Sequence, residues 1–146
     1  MRFIDTNVLL YAISTDEHEA PKRETASELL DRRDLALSTQ VLGEFYVQST
    51  RETRPDPISH DQAVRLIESF TRFEVQPLTS AIVKAALGTT QRYGISYWDA
   101  AIVEAARESG CDEVLSEDLQ DGQDFGGVRV VNPFTGSSGS DPPPAG

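Results

Sequence analysis

Four acidic residues have the clearest chemical potential in this sequence. They are Asp5, Glu44, Asp99 and Asp118. Asp5 is the most informative, because it directly follows the apolar pair Phe3-Ile4. A carboxylate at the end of a buried strand carries a large desolvation cost unless it is paired or binds a metal ion. The basic residue nearest to it in the sequence, Arg2, lies at the other end of the predicted strand, so a bound cation explains Asp5 better than an ion pair.

Clustered carboxylates are the ligands that Mg²⁺ and Mn²⁺ prefer, since these hard cations take oxygen ligands and keep several of their waters. Such a metal activates a water molecule and neutralises the charge that develops on phosphoryl oxygens. The predicted chemistry is therefore metal-assisted hydrolysis of phosphodiester bonds. Its candidate catalytic and metal-binding residues are Asp5, Glu44, Asp99 and Asp118.

No other catalytic arrangement in the sequence competes with this one. There is no Gly-rich phosphate loop, no Gly-x-Ser-x-Gly motif and no Cys–His pair. His18 lies in a polar loop and His60 in a predicted capping box. A single cysteine, Cys111, excludes an intramolecular disulfide and a Cys-rich zinc site. Trp98, beside Asp99, is predicted to be a core residue.

The elements that must position the carboxylates alternate between strand and helix. Strands are predicted at 2–5, 35–38, 73–76, 113–116 and 128–131, and an apolar turn or helix at 8–13. Longer helices are predicted at 21–33, 39–50 with Thr39 as a cap, 59–70, 79–93 and 96–110. This alternation indicates an α/β sandwich with a mostly parallel sheet.

The predicted elements bring the four carboxylates toward one edge of the sheet. Asp5 ends strand one and Asp118 follows strand four, and ligands of open parallel sheets collect at the carboxyl edge. Glu44 lies in the second turn of the helix after strand two, near the same edge. Asp99 opens the helix that feeds strand four. Two helices separate strands three and four, however, so the direction of the second one stays open.

Three of the carboxylates also have a purely structural interpretation. Asp99 has the position of the acidic partner of Ser96 in a capping box. Asp118 suits an ordinary turn, and Glu44 could point into solvent at the edge of its helix.

The length and charge of the chain limit the remaining possibilities. With 146 residues, 38% hydrophobic and 25% charged, the chain suits a single globular domain. Its 13 Lys and Arg against 24 Asp and Glu give a net charge of −11. On net charge alone a nucleic-acid partner is disfavoured, but a metal bound by clustered carboxylates inverts the local field.

Localisation and the chain ends are also predicted from composition. No apolar run approaches the roughly 20 residues that span a bilayer. Phe3-Ile4 leads straight into Asp5 without an apolar signal region. We therefore expect a cytoplasmic protein, with a domain at 1–135 and a disordered Gly/Ser/Pro tail at 136–146.

Four segments of the chain resemble PIN-domain ribonucleases, and among these the VapC-type toxins of bacterial toxin–antitoxin pairs. The segments read FIDTNVL at 3–9, STQVLGEFY at 38–46, YWDAAI at 97–102 and LSEDLQ at 115–120. Each segment alone is weakly specific, whereas four in the family's order and spacing are strongly specific. The resemblance extends from residue 1 to about residue 134.

The resemblance implies a three-layer, Rossmann-like α/β/α fold in which Asp5, Glu44, Asp99 and Asp118 converge. Thr6, Asn7 and Ser116 match the supporting polar positions, and Glu117 is an additional candidate. The implied function is a metal-dependent endoribonuclease toxin using Mg²⁺ or Mn²⁺. The implied partners are an RNA substrate and a cognate antitoxin that occludes the site, and homodimers are frequent in the family. A basic antitoxin segment would be attracted to so acidic a protein.

Other functions stay open at this point. One alternative is a catalytically silent module of the same fold that acts through protein partners. A phosphatase with Asp5 as nucleophile lacks the Asp-x-Asp spacing, because Asn7 stands at the second position. DNA is an alternative substrate, since the hydrolysis itself needs no 2′-hydroxyl. For contacts to substrate phosphates, Arg51, Arg54 and Arg92 are the candidates in or beside loops.

Overall fold

Five short strands form one parallel sheet at the centre of the molecule. In the computed structural model, which describes residues 1–135, they are β1 (Arg2–Ile4), β2 (Leu35–Ser38), β3 (Glu74–Gln76), β4 (Glu113–Leu115) and β5 (Arg129–Val131). The strand order is β3-β2-β1-β4-β5, and every neighbouring pair is parallel. Ile4 pairs with Leu115 in the centre of the sheet, so β1 and β4 end side by side.

Within these described residues, six helices connect the strands. They are α1 (Thr6–Ala12), α2 (Ala20–Leu30), α3 (Thr39–Thr50), α4 (His60–Phe70), α5 (Ser80–Tyr93) and α6 (Tyr97–Glu108), with a 3₁₀ turn at Glu17–Glu19. Contacts join α1 to α2 and α3, and α3 to α4, whereas α5 packs on α6. Right-handed crossovers place α1–α4 on one face of the sheet and α5–α6 on the other. The three-layer α/β/α architecture is confirmed.

The sequence explains most helix ends. Ser59 and Gln62 form both hydrogen bonds of a capping box at the start of α4. Thr79 caps α5, and Gly94 ends it with a left-handed φ of 69°. The cap predicted for α3 is wrong by one residue: the Ser38 hydroxyl accepts from the Val41 amide.

The core lies on both faces of the sheet. Strand residues such as Phe3, Leu37 and Val114 are fully buried, as expected where helices cover a parallel sheet on both sides. Along α6 every residue from Ala100 to Ala106 is buried, because its small side chains allow close packing. No helix within residues 1–135 is both long and apolar enough to span a bilayer. The predicted tail, 136–146, lies outside the described residues.

Candidate active site

Asp5, Glu44, Asp99 and Asp118 line one pocket at the carboxyl edge of the sheet. Its volume of about 80 Å³ holds several water molecules and is too small for a nucleotide. Two of the carboxylates follow the adjacent strands β1 and β4, and the other two come from α3 and α6. The structure thus brings together all four residues that were predicted from the sequence.

Asp5 is a buried carboxylate whose hydrogen-bond donors, within the part of the chain that the structure describes, are all neutral. It is 6% exposed and lies at the N-cap of α1, where Oδ1 accepts from the Thr6 amide at 2.7 Å. Its Oδ2 accepts from the Ser116 hydroxyl at 2.7 Å. Burial raises the pKa of Asp5 from 3.8 to about 6, despite these hydrogen bonds, and the nearby charges of Asp118 and Glu44 add to the rise. Its negative charge is therefore costly without a cation.

A network around Asn7 fixes the turn that carries Asp118. The side-chain nitrogen of Asn7, Nδ2, donates to Ser116 Oγ at 3.3 Å and to Asp118 Oδ2 at 3.2 Å. Its side-chain oxygen, Oδ1, accepts from the Glu117 backbone amide at 3.3 Å, and Ser116 Oγ accepts from the Asp118 backbone amide at 3.1 Å. Asn7 and Ser116 therefore stand where supporting residues were predicted, in contact with the carboxylates they would orient.

Asp99 is placed in the pocket by the start of α6. The Ser96 hydroxyl caps the helix by accepting from the Asp99 amide at 3.1 Å. Partial burial raises the pKa of the Asp99 carboxyl, and Asp118 adds to this rise, against a lowering by the Ser96 hydroxyl. The question left open by the sequence is thus answered, since α6 begins at the carboxyl edge and Asp99 lines the pocket while belonging to a capped first turn.

Gln40 is a site residue that sequence reasoning missed. Its amide nitrogen donates to Glu44 Oε1 at 2.9 Å and to the Trp98 carbonyl at 3.3 Å. It therefore joins α3 to the start of α6 and fixes one oxygen of Glu44. The sequence did contain a signal for this contact. Gln40 precedes Glu44 by four residues, and residues four apart lie on one face of a helix.

Glu117 has a structural partner away from the pocket. Its carboxylate accepts from Lys22 Nζ at 2.5 Å and from the Tyr11 hydroxyl. The Lys22 ammonium also lies 4.9 Å from the centre of the Tyr11 ring. These contacts tie the loop after β4 to α1 and α2, and Glu117 does not line the acidic pocket.

The prediction that Trp98 lies in the core is wrong. Its side chain is 59% exposed, because the buried face of α6 begins at Ala100 and Trp98 lies at the rim of the acidic pocket. The three candidate arginines do not line one common surface, although Arg51 and Arg54 share a turn in which the Arg54 backbone amide donates to the Arg51 carbonyl at 3.0 Å. Arg51 lies in a groove beside Trp98, Arg54 lines a separate hollow, and Arg92 lies over the Tyr93 ring.

The donor set of the pocket fits a hydrated hard cation. Within residues 1–135, no group of three or more His, Cys, Asp or Glu side chains is arranged to hold a metal ion by itself. Mg²⁺, however, keeps several waters and needs only one or two carboxylates. Two buried oxygens of the pocket, Thr6 Oγ1 and Gln40 Oε1, have no hydrogen-bond partner among residues 1–135. Metal-bound waters are donors of the kind these oxygens lack.

Comparison with known proteins places this chain in a family. The PIN-domain family model matches residues 2–120. Ribonuclease VapC24 of Mycobacterium tuberculosis is 32% identical over 147 aligned positions, which cover 92% of this chain and 98% of the relative. The chain therefore belongs to the PIN-domain family. Within that family it groups with the VapC-type ribonucleases.

Solved structures share the fold. A toxin–antitoxin complex from Klebsiella pneumoniae aligns with a TM-score of 0.66 at 20% identity and covers 92% of this chain and 98% of the matched chain. VapC20 of Mycobacterium tuberculosis, a sarcin–ricin loop cleaving toxin, aligns with a TM-score of 0.63 at 19% identity, covering 81% and 90%. At these identities the similarity establishes the α/β/α architecture.

Proposed function

We propose that this protein is the toxin of a toxin–antitoxin pair and hydrolyses RNA phosphodiester bonds with Mg²⁺ or Mn²⁺ at its acidic pocket. The observation that carries the proposal is the buried Asp5, whose pKa is raised to about 6 and whose partners are all neutral. Among residues 1–135, none of the four pocket carboxylates forms an ion pair with a basic side chain. A divalent cation is the counter-charge that suits this arrangement.

Each carboxylate has a proposed role. Asp5, Asp99 and Asp118 would hold a hydrated metal ion from two adjacent strand ends and the start of α6, one or two of them directly and the rest through its waters, and Glu44 would complete the acidic lining from α3. When bound, the cation supplies an activated water and neutralises charge on the phosphoryl oxygens. Gln40 holds Glu44 through Oε1, which leaves Oε2 to accept a proton from the attacking water. Asn7 and Ser116 keep Asp5 and Asp118 oriented.

The proposed partners follow from the relatives and from charge. The relative VapC24 is named a ribonuclease, which supports RNA as the substrate class. Structural neighbours include a toxin–antitoxin complex and the FitAB pair bound to DNA, which supports an antitoxin partner. With a net charge of −11, this chain would attract a basic antitoxin segment.

A nuclease assay on the antitoxin-free protein tests the proposal. The substrates are single-stranded RNA, a structured RNA hairpin and DNA of the same sequence, each with Mg²⁺, with Mn²⁺ and with a chelator. We expect metal-dependent cleavage of RNA. Asp112→Asn is a matched control, because Asp112 is an exposed acidic residue directly before β4, at the opposite edge of the sheet, and this variant should keep full activity. No cleavage of any substrate would favour the silent binding module.

A further inference from the structure

An exposed tryptophan lies next to the acidic pocket. Trp98 is the sole tryptophan of the chain, and its side chain is 59% exposed. The ring packs edge-on against Tyr97 at a centroid distance of 4.9 Å, and the Trp98 backbone carbonyl accepts from the Gln40 side chain. Trp98 thus presents an exposed aromatic surface directly before Asp99 in the chain.

Trp98 also forms part of a larger apolar groove that continues from the pocket. Gly43, Val47 and Leu78 line this groove with Trp98, and Arg51 lies in its lining too. The groove has a volume of about 470 Å³, against about 80 Å³ for the acidic pocket. The two share the residues Gln40, Glu44, Gln48 and Trp98. A nucleic-acid strand that places its scissile phosphate in the pocket must therefore lie mostly outside the pocket. The groove offers such a surface, because it is directly continuous with the pocket.

The charges around the site favour an uncharged contact to the substrate. Away from a metal ion bound in the pocket, the net charge of −11 repels a phosphate backbone, so a nucleic acid needs attraction of another kind there. Every nucleobase has a face that stacks on an aromatic ring. Of the three candidate arginines, Arg51 is the one that lines the groove, where its guanidinium can contact a flanking phosphate.

We propose that Trp98 is the stacking platform for an unpaired base of the RNA substrate, beside the phosphate that is cleaved. This inference rests on the proposed ribonuclease function and deepens it. Stacking on Trp98 requires a base that is not held in a duplex, so the groove selects single strands and loops. The residue sets substrate affinity and position, and it takes no part in proton transfer.

Steady-state kinetics with single-stranded RNA and saturating metal provide the first test. Trp98→Ala should raise KM roughly tenfold or more while changing kcat little, because the lost contact binds the ground state and the transition state alike. Trp98→Phe keeps an aromatic face and should restore most of the affinity. Leu87→Ala is the control, since Leu87 is 57% exposed but lines neither the pocket nor the groove, and its KM should match that of the wild type.

Tryptophan fluorescence provides the second test, because Trp98 is the sole source of the signal. In the Asp5→Asn background, titration with single-stranded RNA should quench the fluorescence saturably, and the same strand annealed to its complement should not. Equal KM values for Trp98→Ala and Leu87→Ala, or RNA binding by anisotropy without quenching, would overturn the proposal while the ribonuclease function stands. Quenching by an antitoxin peptide and not by RNA would assign the groove to a protein partner and also overturn it. A wild-type protein that cleaves no RNA would overturn both.

Discussion

At the scale of single residues, Asp5 shows how far the physical chemistry of a sequence can reach. A carboxylate after Phe3-Ile4 predicted both burial and a cation, and burial is confirmed at 6% exposure. The metal stays a prediction. The hydrogen bonds from Thr6 and Ser116 do not cancel the desolvation of Asp5, so its pKa is raised. The contact with Ser116 depends on the pairing of β1 with β4, which the sequence pattern alone does not specify.

The raised pKa of Asp5 predicts how stability depends on pH in the metal-free protein. A carboxyl whose pKa rises from 3.8 to about 6 on folding binds more protons in the folded state between those pH values. Unfolding free energy therefore falls as pH rises through this window. By chemical denaturation, the difference between wild type and Asp5→Asn should change by up to about 3 kcal/mol between pH 4 and 7, with the variant relatively more stable at pH 7. A constant difference would contradict the raised pKa.

Gln40 predicts a separation between activity and stability. Gln40→Met keeps a similar volume but removes the donor to Glu44 and the buried oxygen that lacks a partner. We expect the melting temperature to stay the same or rise, whereas the cleavage rate falls about tenfold, which is part of the roughly 10²–10⁴-fold that a positioned acid–base group contributes, because Glu44 remains but is less well oriented. Gln91→Met, at an exposed position on α5, is the control and should leave both quantities unchanged. An unaltered cleavage rate in Gln40→Met would remove Gln40 from the site.

At the scale of elements, the direction of α6 is the feature that the sequence pattern did not predict. Its start and end were predicted from Ser96 and Gly110, but two helices between β3 and β4 left its direction open. The deciding interactions are long-range, namely the packing of α6 on α5 and on the sheet. The error at Trp98 has a related cause, because helical periodicity alone does not tell where the buried face of a helix begins.

A buried carboxylate, with the arginine that pairs with it, joins the C-terminal half of α6 to α5 and to the loop before β5. Glu104 is 7% exposed and accepts from Thr89 at 2.8 Å and from Arg107 Nε at 3.0 Å. Arg107 also donates to the carbonyls of Phe125 and Gly126. Arg107→Ala should lower the free energy of unfolding by about 1–3 kcal/mol, since a buried carboxylate would lose its partner at a partly exposed site. Urea denaturation measures this, and an unchanged midpoint would show that the ion pair contributes nothing.

At the scale of the whole molecule, the net charge and the fold suggest opposite conclusions about nucleic acid. Composition alone disfavours an RNA partner, with 24 acidic against 13 basic residues. The position of four of those acids in one pocket reverses this expectation, because a bound cation changes the sign of the local field. The order of the strands favoured that convergence but left Asp99 open, and only the resemblance to PIN-domain ribonucleases implied it for all four residues, whereas the width of the pocket and the groove beside it required the structure.

A divalent cation should stabilise the whole fold. A ligand that binds the native state alone raises its stability by mass action, so millimolar Mg²⁺ or Mn²⁺ should raise the melting temperature of the wild type. The increase should shrink in Asp99→Asn and persist in Asp112→Asn. Differential scanning fluorimetry measures all three proteins, and the same increase in each would indicate binding to the acidic surface in general.

The most direct test of the account is the RNA cleavage rate as a function of Mn²⁺ concentration, starting from metal-free protein. We predict no cleavage without metal, a saturable rise in rate for the wild type, and a loss of about 100-fold or more at saturating metal for Asp5→Asn. The variant should remain folded by circular dichroism. Cleavage of RNA by the chelated wild type, or full activity of folded Asp5→Asn at saturating Mn²⁺, would contradict the claim that these carboxylates form a metal-dependent nuclease site.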